Sequence, residues 1–154
     1  MTGGRPPQDF FVAVGESAEF SKVLSAADVD RFAEISGDFD PIHVDEAHAR
    51  TTRFGRRIAH GILSMALLST VSAMISARAR ARGSRGTSVS LGYDRIRFLK
   101  PVFVGDTLTA RYTIVALDGA ARRSRAKVEV VTGDGEPAVV GEHHMKWLPE
   151  EPGT

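Results

Sequence analysis

The sequence predicts an α+β domain in which a five-stranded antiparallel sheet wraps around one central helix. Three observations lead there. From Gly61 onward the chain is apolar almost all round, through Ile62, Leu63, Met65, Leu67, Leu68, Val71, Met74 and Ile75, which marks a helix buried on most sides. Four β-patterned runs follow it, at Ser88–Leu99, Thr107–Leu117, Arg122–Thr132 and Ala138–Leu148. A fifth short strand, Phe20–Leu24, precedes the helix. One sheet curled around the helix is the simplest arrangement that buries it.

In chain order, residues 1–9 are rich in Gly and Pro and residues 149–154 read PEEPGT, so both ends are expected to be flexible around a single domain spanning 10–148. After the first strand, Ser25 and Asp28 form a capping-box-like start to a helix whose apolar face carries Val29, Phe32 and Ala33, and Gly37 stops it. The next segment, GDFDPIHVD (residues 37–45), is expected to be a turn or extended loop, because Pro41 has no amide donor and disfavours the α conformation at Asp40. Asp45 then caps a short helix over Glu46–Thr51, and a basic loop, RFGRRIAHG, leads into the apolar helix. That helix is expected to run to about Arg80, with Arg78, Arg80 and Arg82 favoured near its C-terminus by the helix dipole and Gly83 ending it. Among the strands the joints carry turn residues, Gly105-Asp106, Asp118-Gly119 and Gly133-Asp134-Gly135, and alternation is clearest in Thr109–Val115 and Ala126–Val130.

Composition narrows the function. The 154 residues carry 20 Lys+Arg against 19 Asp+Glu, a net charge of +1, which argues against a strongly basic nucleic-acid binder. The absence of cysteine excludes a disulfide scaffold, a thiol nucleophile and thiolate zinc sites, and fits a cytoplasmic location. The most apolar stretch, Ile62 to Ile75, is interrupted by Ser64, Ser69, Thr70 and Ser72 and falls short of the ~20 residues a membrane span needs. A buried helix is expected, not a membrane segment.

Chemistry concentrates in the Pro41 loop. A carboxylate beside an imidazole is the minimal pair for proton transfer at neutral pH, and the loop can aim Asp38 and His43 at one water. The plainer alternative has Asp38 capping a backbone amide and His43 as a satisfied polar residue; Asp40 also competes with Asp38 as the acid. A second feature is His60-Gly61 at the start of the apolar helix, where the Gly61 amide lacks an intrahelical acceptor and suits a polarised carbonyl oxygen. Its bland counterpart is a glycine that merely lets the helix enter a crowded sheet. Base, acid and oxyanion donor together are what is needed to add or remove water next to a carbonyl. Elsewhere His143 and His144 are neighbours on one strand and point to opposite faces, which argues against a metal pair and leaves a surface or interface role. His48 and His60 have no metal-type spacing, and no metal site is expected.

Three segments, FAEISGDFDPIHVDEAHA (Phe32–Ala49), AHGILSMALLS (Ala59–Ser69) and RIRFLKPVFVGDTL (Arg95–Leu108), resemble the MaoC-like dehydratases, and within them the (R)-specific enoyl-CoA hydratases. The likeness spans about residues 20–117 in the right order. It implies a hot-dog fold, in agreement with the sheet-around-helix pattern. It also implies that Asp38 and His43 activate water across the double bond of a trans-2-enoyl-CoA, that the Gly61 amide binds the thioester oxygen, and that Ser69 supports the site. Ser72, one turn on, is expected to face the acyl pocket. Many members of the family carry Asn where this chain has Asp40; both side chains form turns, but aspartate adds a second charge near Asp38. The substrate implied is a thioester of CoA or of acyl carrier protein, with no cofactor. The arginines at 78, 80, 82, 85, 122, 123 and 125 read as solvated surface, or alternatively as partners of the CoA phosphates. An open sheet edge, low net charge and the family resemblance point to a homodimer. The competing functions are a hot-dog acyl-CoA thioesterase, a non-catalytic partner subunit of a hetero-oligomeric dehydratase, and a dehydratase of a special substrate.

Overall fold

Local signals set the first elements. In the computed structural model, which describes residues 10–151, Ser25 and Asp28 complete a reciprocal capping box at the start of helix α1 (Ala26–Ser36), and Gly37 ends that helix in the left-handed region at φ 78°. Strand β1 (Ser17–Val23) precedes it. It begins three residues earlier than the pattern around Phe20 indicates, because as an edge strand it is held by backbone pairing to β3 (Thr107–Asp118) while only Ala18 is buried. Hydrophobic alternation has little to report there.

The Pro41 segment is not the extended loop expected. It forms a single helical turn, α2 (Pro41–Val44), with Asp40 as its N-cap at φ −54° and ψ 129°. Proline fits the first helical position, where no amide donor is required, and restricts only the residue before it. Helix α3 (Glu46–Thr51) follows, capped by Asp45 as expected.

Helix α4 (Gly61–Ala81) is the axis of the molecule. At 21 residues it is long and apolar enough to cross a membrane by length and composition, although the serine-broken run within it falls short. Here its Leu68, Val71, Ile75 and Ala79 are fully buried against the sheet. Strands β2 (Ser88–Phe98), β3, β4 (Arg123–Val131) and β5 (Pro137–Trp147) complete an antiparallel sheet in the order β1-β3-β4-β5-β2. Alternate residues Leu108, Ala110, Tyr112 and Ile114 of β3 and Ala126, Val128 and Val130 of β4 are buried, so one face of each strand forms the core with α4. This is the hot-dog arrangement. The edges are β1 and β2, and β2 leaves Val89, Leu91 and Phe98 exposed.

One side chain departs from expectation. His143 belongs neither to the surface nor to an interface of the chain; it is fully buried, with Nε2 2.8 Å from Ser90 Oγ and Nδ1 3.2 Å from Tyr112 Oη. β5 lies between β4 and β2, so its inner face is core, and a histidine there is tolerated because both nitrogens have partners. His144 points the other way, with Nε2 3.1 Å from Asp94. Of the flexible ends assigned to residues 1–9 and 149–154, residues 1–9 and 152–154 lie outside the described residues.

Candidate active site

The end of α1 and the α2 turn aim the first two groups. Past Gly37, the Asp38 amide donates to Ser36 Oγ at 3.2 Å, and Asp38 Oδ1 accepts the Asp40 amide at 3.1 Å. That local bond is the capping role expected of an ordinary loop aspartate, but it uses one carboxylate oxygen and leaves Oδ2 for other work. Asp40 spends its own carboxylate differently: Oδ1 accepts the Ile42 amide at 3.0 Å and caps α2. Of the two acids, Asp40 is built into the turn and Asp38 stands beside the histidines.

His43 is fixed from behind. Its Nδ1 lies 2.8 Å from the Ile58 carbonyl, which can only accept, so Nδ1 carries the proton and Nε2 keeps its lone pair. The Arg57 guanidinium donates to the His43 carbonyl and pairs with Asp30, tying the basic loop to α1 and α2. The third member is His60, the N-cap residue of α4, 3% exposed. Its Nε2 donates to the Asp38 carbonyl at 3.0 Å and lies 4.0 Å from Asp38 Oδ2, and its ring stacks on His43 with centroids 3.9 Å apart. Phe32 of α1 closes the other side at 4.8 Å between ring centroids.

Sequence spacing assigns His60 no part in any cluster, and the structure corrects this. One ligand-type atom each from Asp38, His43 and His60 lie within 4.8 Å of one another. The helical turn at Pro41 folds residues 38 and 43 onto the start of α4, a long-range contact that no sequence period encodes. These three side chains are the group that could hold a cation. A cation would have to be accepted with His43 Nδ1 and His60 Nε2 already donating to carbonyls.

Gly61, the first residue of α4, shares with His43 a cavity of about 450 Å³ whose wall also includes Ile58, Ser64, Phe98 and Val139. Its amide lies in the helix turn that lacks intrahelical acceptors, where the dipole favours negative charge. The glycine is required sterically: a Cβ at this position would lie 2.8 Å from the Phe98 ring. Asp38 is absent from this wall and sits beside His43, its side chain half exposed.

Ser69 and Ser72 are elsewhere. They lie two to three turns further along α4, roughly 12–16 Å from Gly61, and line a second cavity of about 280 Å³ with Ser76, Arg80, Ser88 and Ser90. The Ser72 hydroxyl donates to the Ser69 carbonyl at 2.9 Å. Within one chain, the structure therefore joins Asp38, His43 and Gly61 but not the two serines.

Residues 10–138 match the family model described as a MaoC like domain. The (R)-specific enoyl-CoA hydratase of Aeromonas caviae is 38% identical over 133 residues, covering 86% of this chain and 93% of that protein. The 3-hydroxybutyryl-CoA dehydratase of Methylorubrum extorquens is 35% identical, over 86% of this chain and 79% of the other. The solved structure of the A. caviae (R)-hydratase involved in PHA biosynthesis superposes with a TM-score of 0.77 at 37% identity, covering 90% of this chain and 98% of that one. The chain belongs to the MaoC-like domain family.

Proposed function

We propose that this hydro-lyase adds water to a trans-2-enoyl-CoA to give the (3R)-hydroxyacyl-CoA, and runs the reverse dehydration with the same groups. The observation that carries the proposal is that a carboxylate oxygen of Asp38 and a ring nitrogen of His43 lie within 4.8 Å of each other, and that His43 and Gly61 line one cavity. The similarity to hydratases that act on this substrate class supports it.

In this mechanism Asp38 Oδ2 accepts one hydrogen of a water and orients it. His43 Nε2 takes the other as the water oxygen bonds to C3. The electron pair of the C2=C3 bond moves toward the thioester, and the Gly61 amide, aided by the helix dipole, stabilises the resulting charge on its oxygen. The imidazolium then returns the proton to C2, so one water is added in all. No metal or organic cofactor is needed in this sequence of steps. Ser72 faces the acyl pocket and Ser69, on the same cavity, supports the site, the pocket being completed when two copies pair through the β2 edge, where Val89, Leu91 and Phe98 are exposed.

The test is the loss of enoyl absorbance when purified protein meets crotonyl-CoA, followed by chiral analysis of the product. Formation of the 3R alcohol without free thiol is the expected result. Thiol release in its place would make the protein a thioesterase, and a wild-type protein inert toward enoyl-CoAs of every length would overturn the proposal.

A further inference from the structure

Two buried polar atoms in this region have no hydrogen-bond partner, Nδ1 of His60 and Oγ of Ser64. Both residues are nearly inaccessible, at 3% and 1% exposure. A buried polar group left unpaired costs free energy comparable to a lost hydrogen bond, and native proteins rarely keep one without a use. These two are complementary. The Asp38 carbonyl accepts from His60 Nε2, so in the neutral ring Nδ1 has a lone pair and no proton. Ser64 offers an O–H. The residues are one helical turn apart on α4, with the Ser64 amide directed at the His60 carbonyl at 3.4 Å, and side chains on a helix lean toward its N-terminus. Residues 60 and 64 thus share one face of the helix start.

We infer that Ser64 donates its hydroxyl proton to His60 Nδ1 through one buried water, and that this relay positions the catalytic pair. The inference rests on the proposed hydration chemistry for its meaning, but the bond itself does not. Ser64 locks His60 in the tautomer with the proton on Nε2. That proton holds the Asp38 carbonyl, and the His60 ring backs the imidazole of His43. A His60 free to move its proton to Nδ1 would turn Nε2 into an acceptor facing a carbonyl oxygen, and the Asp38 segment would be repelled. Ser64 and His60 are positioning residues; neither is assigned contact with the reacting atoms. Ser64 also lines the cavity shared by His43 and Gly61, so the relay runs along the wall of the site.

The experiment combines three readouts on wild type, Ser64→Ala and Ser64→Thr. In protein with ¹⁵N-labelled histidine, the wild-type His60 is expected to show a protonated Nε2 and a hydrogen-bonded Nδ1, with the Nδ1 resonance moving in Ser64→Ala and returning in Ser64→Thr. With crotonyl-CoA, Ser64→Ala is expected to lower kcat roughly tenfold, the worth of one hydrogen bond, with KM within about twofold, and Ser64→Thr to restore it. Melting temperature supplies the third readout: an isolated buried hydroxyl is stabilising to delete, whereas deleting a donor that serves His60 lowers Tm. Wild-type kcat in Ser64→Ala, together with a raised Tm and an unmoved Nδ1 resonance, would overturn the inference. Should wild type fail to hydrate any enoyl-CoA, the functional proposal falls, and the histidine resonances and Tm still decide whether the Ser64–His60 bond exists.

Discussion

The imidazoles of His43 and His60 lie face to face, with centroids 3.9 Å and planes 29° apart. They come from different elements, the α2 turn and the start of α4, so the stack fixes the loop carrying Asp38 against the helix whose N-terminus faces the cavity. Each ring donates one N–H to a main-chain carbonyl, Ile58 for His43 and Asp38 for His60. In the neutral rings two lone pairs remain, on His43 Nε2 and on the buried His60 Nδ1, and the proposed mechanism uses the first.

Removing either member of the pair should therefore abolish turnover without unfolding the chain. Asp38→Asn keeps a side-chain oxygen for the Asp40 amide, and His43→Gln keeps an amide N–H for the Ile58 carbonyl. Both variants are expected to melt within a few degrees of wild type while kcat for crotonyl-CoA hydration falls on the order of 10²–10⁴-fold, the usual worth of a positioned acid or base. Activity close to wild type in either variant would move the proton transfer to other residues.

Gly61 tests the oxyanion assignment through sterics. A Cβ there would lie 2.8 Å from Phe98, whose ring is half exposed and free to move outward. Gly61→Ala is expected to fold, with a stability loss of about 1–2 kcal/mol, because a flexible side chain and not backbone must give way. Phe98 lines the cavity, so moving its ring reshapes the wall while the new methyl crowds the amide, and kcat/KM should drop about a hundredfold. Combining Gly61→Ala with Phe98→Ala separates the two effects. Stability returns in the double variant because the clash is gone, while activity stays low if the methyl itself blocks the thioester oxygen. Full recovery of both would mean that the amide of residue 61 does not contact the substrate.

The aspartate at position 40 is predicted to be a cap and nothing more. Its Oδ1 accepts the Ile42 amide and starts the turn that presents His43. Asp40→Asn keeps that acceptor and should leave Tm and kcat almost unchanged. Asp40→Ala removes it, costing about 1 kcal/mol and loosening the His43 turn, so Tm and kcat should fall together. A large activity loss in Asp40→Asn with normal stability would instead give Asp40 a chemical role.

What the sequence made legible follows from how local each signal is. The apolar circumference of α4, the turn residues between strands and the Ser25–Asp28 box are short-range patterns, and each matches an element of the fold. The sequence pattern starts the edge strand β1 three residues late because its side chains are mostly solvated and its register is set by β3. The proximity of Asp38 and His43 is legible because only five positions separate them along the chain. The role of His60 is not, since it depends on a tertiary stack with His43 and a bond to a carbonyl 22 residues away. The burial of His143 is hidden for a related reason. Alternation gave the two faces of β5, but only the strand order decides that the His143 face is the core.

That buried histidine makes stability depend on pH. Burial holds the His143 imidazole down at about 4, with the neighbouring His144 adding to the depression, against a usual value near 6.5. Between those values the unfolded chain binds a proton that the folded one refuses, so the folded state is favoured as pH rises. The contribution is fully present above about pH 6.5. It is lost progressively as pH falls toward 4, by on the order of 3 kcal/mol in all. Neutral His143 links Ser90 and Tyr112, and protonation would replace its one acceptor nitrogen with a second donor inside the sheet. Denaturant midpoints measured from pH 7.5 to 4.5 should therefore decline below about pH 6.5 in the wild type. In His143→Asn, which has no such titration, the curve should be lower at neutral pH but flatter over the same interval. Parallel curves for the two proteins would mean that the acid sensitivity arises from other groups.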